Sequence, residues 1–272
     1  METESDLMLA RRAALAGAAL GLRYFAALAE LPRERKSDGS VVTEADRAVE
    51  AVIREVLTGA RPGDAVLGEE AGQQGGGSRR WIVDPIDGTA SFVAGDDRWL
   101  VLVALEEAGE IVVGVAAVPA QGKIWWARRG GGAFVADVAG ADVGAVRRIG
   151  VDRDRPEVLS GSRLGVVPTG DALLPADHEL IAPLCAVVPR VPWRTHAALL
   201  VAAGELDLAV QTRGQLWDFA ATSLIVEEAG GRHSGLDGER RPAPGPALFS
   251  RGDALHAAAL PLLRAGAGRA GS

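Results

Sequence analysis

Between Trp81 and Arg128 the chain carries four β-rich runs: WIVD, WLVLVAL, EIVVGVAAV and KIWWAR. The turn-forming segments DGT, EEAGE and PAQG set them apart, and GGG follows the last. Their β-branched and aromatic residues favour extended backbone. Connections as short as EEAGE and PAQG leave no room for a crossover, so consecutive runs pair antiparallel. This stretch predicts an antiparallel sheet in the N-terminal half.

The rest of the chain supplies helices and a second layer. Residues 6–30 read as an Ala/Leu-rich helix ending before Pro32, and RERKSDGS reads as a polar linker. Thr43 opens a second helix, whose apolar stripe is Ala45, Val49, Val52, Ile53 and Val56. AVLG is a short strand end, and EEAGQQGGGS reads as a Gly-rich, mobile loop. After about residue 150 strands alternate with helices: EVLS, a helix near 176–185, VVP, a helix near 194–203, LDLAVQ, a helix over 217–229, then ALFS and a last helix. Alternation of this kind predicts an α/β layer. The expected division is 1–150 and 151–272, without internal repeats, and the tail RAGAGRAGS is expected to fray.

Composition removes several function classes. A formal charge of −7 over 272 residues argues against a nucleic-acid polymer as partner. It is compatible with a phosphorylated ligand, because a bound divalent cation reverses the local sign. Cys185 is the single cysteine, so an intrachain disulfide and a Cys-rich zinc site are both excluded. Arg11, Arg12 and Arg23 interrupt the apolar N-terminal stretch, and no apolar run is long enough to cross a bilayer. The expectation is a cytoplasmic protein without a membrane partner. Cys185 is expected as a small buried hydrophobe, and His178, His233 and His256 as surface or packing residues with no zinc-site spacing. Trp125 and Trp126 must face opposite ways on a strand, one into the core and the other toward a dimer partner.

The end of the first run, WIVDPIDGTASF, concentrates the chemistry. Asp84 closes a buried strand, Pro85 stops that strand, and Asp87 follows one turn later. Two carboxylates with the Ile86 carbonyl between them form an all-oxygen set suited to Mg²⁺. Gly88 and Thr89 present backbone N–H groups in a tight bend, the kind that cradles a phosphate. Haloacid dehalogenase phosphatases carry Asp-x-Asp-Gly-Thr, but here Pro85 stands two residues before Asp87, so that chemistry is excluded. Glu69 and Glu70 follow Gly68, Asp46 lies three residues after Thr43 where a helix cap would, and Asp218 opens the WDFAATSLIVEEAGG helix.

The ordered motifs GEE at 68–70, WIVDPIDGTASF at 81–92 and LWDFAATSLIVEEAGG at 216–231 resemble the signatures of the inositol monophosphatase family. Lys36 before VVTEAD, GGGAF at 130–134 and LFSRGDALHAAAL extend the resemblance over almost the whole chain, and KIWWARRGGGAF is most similar to bacterial histidinol-phosphate phosphatases. The resemblance implies a layered αβαβα sandwich, commonly dimeric, that hydrolyses a small phosphorylated metabolite. It implies that Glu69, Asp84 and the Ile86 carbonyl hold a first Mg²⁺, that Asp84, Asp87 and Asp218 hold a second, and that a third, weaker ion lies near Glu69. It assigns Gly88, Thr89 and Lys36 to phosphate binding. It gives Thr89 with Asp46 the task of orienting and deprotonating the attacking water, for in-line attack without a phosphoenzyme.

Two segments depart from the family pattern. PRVPWRTHAALL at 189–200 matches neither the histidinol-phosphatase nor the inositol-monophosphatase form, and places Trp193, Arg194 and His196 as candidate substrate contacts. VAGDDRW at 93–99 lacks the Gly-x-Pro that usually follows the phosphate loop. Histidinol phosphate leads as the expected substrate, followed by inositol monophosphate, with a nucleotide or sugar phosphate as the alternative. A catalytically silent metabolite-binding homologue is the alternative of another class, but this chain keeps Glu69, Asp84, Asp87 and Asp218 together with Asp46 and Thr89.

Overall fold

The computed structural model describes residues 4–28, 33–35, 41–140 and 142–270. They divide into two compact units, with the boundary between Arg148 and Ile149. In chain order the first unit holds α1 (Asp6–Ala26), β1 (Arg33–Arg35), β2 (Val41–Thr43), α2 (Glu44–Ala60), β3 (Ala65–Gly68), β4 (Gly72–Gln74), β5 (Arg79–Asp87) and α3 (Thr89–Val93). It continues through β6 (Leu100–Glu107), β7 (Glu110–Val118), β8 (Lys123–Arg128), β9 (Gly132–Ala139) and β10 (Asp142–Val143), and β11 (Arg147–Ile149) runs across its boundary.

The large sheet runs β10-β9-β8-β7-β6-β5-β3-β4, with β11 paired to β9. From β10 to β5 each neighbour is antiparallel, as the short turns require. One pairing breaks that expectation: β3 lies parallel to β5, with Gly68 opposite Val83. The helix α2 does not supply the connection between them, so this exception was not readable from turn length. Beyond β3, the segment expected as a mobile Gly-rich loop folds back as β4, pairing Leu67 with Gln73 and Gly68 with Gly72. The presumed polar linker likewise contributes β1, which pairs antiparallel with β2.

Helices α1 and α2 cover one face of this sheet. Leu9 and Ala13 of α1 and Val49, Ile53 and Leu57 of α2 share a core with Trp81, Val83, Val101, Val103, Leu105, Val113 and Val115. The strand residues alternate, so one side of β5, β6 and β7 meets the helices. Burying each large aliphatic side chain there contributes about 1.5–3 kcal/mol. The start of α1 is fixed by Ser5, whose hydroxyl accepts from Met8 N at 3.3 Å, and the helix ends at Ala26 rather than near residue 30. Both Trp125 and Trp126 are buried, so neither ring is offered to a partner on the surface. Trp126 stacks on Phe134 and lies 4.1 Å beneath the Arg11 guanidinium.

The second unit holds β12 (Leu164–Val167), α4 (Pro175–Cys185), α5 (Ala197–Ala202), β13 (Leu208–Gln211), α6 (Leu216–Glu228), β14 (Arg232–Gly235), β15 (Ala247–Ser250) and α7 (Asp253–Ala270). Its sheet runs β12-β13-β15-β14, parallel at the first pairing and antiparallel at the other two. Leu180, Ile181 and Leu184 of α4 and Leu255, Ala259 and Leu263 of α7 pack with Leu164, Val166, Leu208, Val210 and Leu248. Cys185 joins this core half-buried. The expected frayed tail is instead the continuation of α7 to Ala270. At the base of the sheet, Asp207 is fully buried and takes Arg251 Nε at 2.9 Å, Arg155 Nη1 at 3.0 Å and Arg163 Nε at 3.2 Å. Among the described residues no helix is long and apolar enough to cross a membrane.

Candidate active site

Strand β5 does not stop at Pro85, as the sequence suggested, but runs on to Asp87 with its ladder interrupted after Asp84. Asp84 pairs with Leu102 and Asp87 with Leu100, so Pro85 and Ile86 together face Val101. This is a bulge, and proline tolerates it because it has no N–H for the ladder to use. Ile86 N donates to Asp84 Oδ1 at 3.1 Å, which pins the carboxyl over the bulge. Asp84 is 1% exposed and Asp87 half-buried. Each offers a carboxylate oxygen within 4.8 Å of the other. Two unit charges that close repel by about 3–4 kcal/mol at an effective dielectric constant of ~20. A hard divalent cation offsets that repulsion, and the oxygen-only donor set fits one.

Gly88 then turns the chain with φ of +85°, a conformation that suits glycine, and a Cβ there would lie 3.2 Å from Arg98 O. The short α3 begins at Thr89, and Phe92 N closes onto Gly88 O at 3.0 Å. An aromatic cluster anchors this loop: Phe92 meets Trp99 edge-on at 4.9 Å, and Phe25 packs on both. Arg98 N donates to Asp96 Oδ1 at 2.9 Å, shaping the segment that departs from the usual Gly-x-Pro pattern.

The Thr89 hydroxyl lies 3.1 Å from Asp46 Oδ1 and 3.1 Å from the Ile86 carbonyl. Asp46, on the first turn of α2, is 1% exposed. Its carboxylate is therefore tied to Thr89, beyond the capping position its spacing suggested. Glu69 comes from the neighbouring parallel strand. Its N–H donates to Val83 O at 3.3 Å, extending the β3–β5 ladder by one step. Glu69 and Asp84 thus stand at the carboxyl ends of adjacent parallel strands, the place where α/β sheets bind ligands.

Two residues with a bearing on this geometry carried no motif signal. Glu50 and Arg54 form an i,i+4 pair on α2, with Arg54 Nε 2.7 Å from Glu50 Oε1. Both are buried, and Glu50 accepts from Glu70 N at 2.7 Å and Ala71 N at 3.0 Å.

In the second unit, Asp218 is half-buried in the first turn of α6, and its carboxylate accepts from Gln215 N. Trp193 donates Nε1–H to Val166 O at 3.0 Å, Arg194 is exposed, and His196 is buried at the N-terminus of α5. Burial pulls His196 down to about 4 and keeps it neutral. Lys36 lies outside the described residues.

The inositol monophosphatase family profile matches residues 4–265. A histidinol-phosphatase of Mycobacterium tuberculosis is 41% identical over 97% of this chain and 100% of its own. An inositol-1-monophosphatase of Rhizobium meliloti is 35% identical over 81% of each chain. The solved structure of an inositol monophosphatase from Zymomonas mobilis superposes with a TM-score of 0.77 at 26% identity, covering 95% of this chain and 97% of that one.

Proposed function

Because the chain belongs to the inositol monophosphatase family, and is by that membership a phosphoric monoester hydrolase, we propose that it acts on a small phosphorylated metabolite, histidinol phosphate first and inositol monophosphate second. Identity to the histidinol-phosphatase over nearly the full length of both chains supports that order. The observation that carries the chemistry is the Asp84–Asp87 pair at the bulged end of β5, followed at once by Gly88 and Thr89.

The family is Mg²⁺-dependent. In our reading Asp84, Asp87, Glu69, Asp218 and the Ile86 carbonyl would hold Mg²⁺, as two ions with a third, weaker one near Glu69. When bound, Mg²⁺ supplies the positive charge that offsets these carboxylates, polarises the phosphate and makes water a stronger nucleophile. The N–H groups of Gly88 and Thr89 hold phosphate oxygens. Thr89 Oγ orients the attacking water and passes its proton to Asp46 Oδ1, 3.1 Å away. The exposed Arg194 and the half-buried Trp193 ring are the substrate-selecting groups, with Lys36 assisting the phosphate. The active form is a homodimer, which light scattering tests.

The experiment is phosphate release with Mg²⁺ across histidinol phosphate, inositol 1-phosphate, sugar phosphates and nucleoside monophosphates. The reading expects a kcat/KM preference of at least about tenfold for histidinol phosphate, a difference of ~1.4 kcal/mol in transition-state binding. Preference for another ester replaces the substrate assignment. No release from any ester by folded, Mg²⁺-supplied protein overturns the catalytic reading.

A further inference from the structure

The connection Glu69–Ala71 between β3 and β4 carries one of the assigned metal ligands, yet only one of its N–H groups is held by the sheet. The next two, on Glu70 and Ala71, point to a side chain from another element: Glu50 Oε2 at 2.7 Å and Oε1 at 3.0 Å. Glu50 is 1% exposed, so this carboxylate has left water to reach them. Arg54 balances its charge through Nε at 2.7 Å. The rest of the Arg54 guanidinium reaches both strands of the hairpin, with Nη1 3.2 Å from Val66 O in β3 and Nη2 on Gly72 O at the start of β4. Gly68 fits against this pair only because it lacks a side chain, since a Cβ there would lie 2.4 Å from the Glu50 carboxylate.

A buried ion pair is a poor device for stability alone, because its desolvation consumes most of what the attraction provides. Here its hydrogen bonds go to the backbone on each side of Glu69. We propose that Glu50 and Arg54 are positioning residues: a clamp that fixes the Glu69 backbone beside Asp84, so that metal affinity depends on a carboxylate that is not itself a ligand. Partners of this kind typically change metal affinity or activity by about 10–100-fold when removed. The clamp rests on the reading of Glu69 as a metal ligand.

The test uses the full chain and Mn²⁺ as the probe, with free Mn²⁺ followed by electron paramagnetic resonance. Circular dichroism of the metal-free protein reports folding. Glu50→Gln keeps the shape and one acceptor, whereas Glu50→Ala removes both. Expected are weaker Mn²⁺ binding by about tenfold in Glu50→Gln and by up to about 100-fold in Glu50→Ala. The Mg²⁺ concentration for half-maximal phosphate release should rise in parallel, with kcat recovering at high Mg²⁺ and the ester KM unchanged. Arg54→Lys, which keeps the charge but loses the fork, carries the test if Glu50→Ala fails to fold. Unchanged Mn²⁺ affinity in folded Glu50→Gln and Arg54→Lys, with only the melting temperature lowered, makes the pair purely structural and overturns the proposal. Glu69→Gln separates the two failures. If it also leaves Mn²⁺ affinity unchanged, the ligand assignment falls; if it weakens binding while the clamp variants do not, the clamp alone falls.

Discussion

Lowering the pH from 7 to 5 should destabilise this protein through three histidines of its second unit. Burial pulls His233 down to about 4, and the same cause acts on His196. His256 falls to about 3, through burial first and then the nearby Arg232 charge. Geometry agrees for His233, whose Nδ1 faces Arg240 O at 3.2 Å while Nε2, between the Phe219 and Phe249 rings, has no hydrogen-bond partner among the described residues. His256 sits between the hydroxyls of Ser234 and Ser250 at 2.8 and 2.9 Å, where a neutral ring uses one as donor and the other as acceptor. In the unfolded chain each ring has a pKa of about 6.5, so below that value the unfolded state binds protons that the folded state refuses. Stability is therefore fully present above pH 6.5 and falls as the pH drops toward 4. At pH 5 each ring contributes a loss of about 2 kcal/mol, or about 6 kcal/mol for three. That is a large part of the 5–15 kcal/mol typical of a domain. Urea unfolding at pH 7 and pH 5 measures it, and imidazole NMR titration identifies the residues. A loss under about 2 kcal/mol, or these three rings titrating near 6.5, would refute the reasoning.

Thr89→Val keeps the side-chain shape but removes the hydroxyl on Asp46, and kcat should fall by about 10²–10⁴ with little change in melting temperature. Asp84→Asn should leave a folded protein with Mn²⁺ binding weakened at least about tenfold and phosphate release collapsed; retained turnover would remove Asp84 from the site. Asp207→Asn withdraws the charge from the buried Arg251 and should cost about 3–5 kcal/mol in urea unfolding, while the metal affinity of the folded fraction stays unchanged.

The parts of the fold set by local pattern were readable in advance. The continuous apolar, β-rich runs of β6 and β7 and the stripe on α2 each announce an element without reference to the rest of the chain. So did WIVDPIDGT, because proline and glycine at those positions have few other uses. What stayed hidden depends on partners distant in sequence. GQQ looks like loop until Leu67 pairs with Gln73. Trp125 looks available to a partner until its burial is known. Glu50 and Arg54 have the spacing of an ordinary solvated helix pair; the Glu70 and Ala71 N–H groups and the Val66 and Gly72 carbonyls, all distant in sequence, give them another task.

The bulge at Pro85-Ile86 has a consequence for how such a centre can arise at all. In an unbroken strand, positions three apart point to opposite sides, so Asp84 and Asp87 would be separated by the sheet itself. One surplus residue reverses that parity and sets Asp84 and Asp87 opposite Leu102 and Leu100, two residues of β6 that share a side. The same surplus withdraws a peptide unit from the ladder, leaving its carbonyl oxygen between the two acids. Point substitution of a regular hairpin can supply the acids but neither the parity nor the carbonyl. Deleting one residue of the Pro85-Ile86 pair would restore the regular register and return that peptide unit to the ladder, even where both aspartates remain.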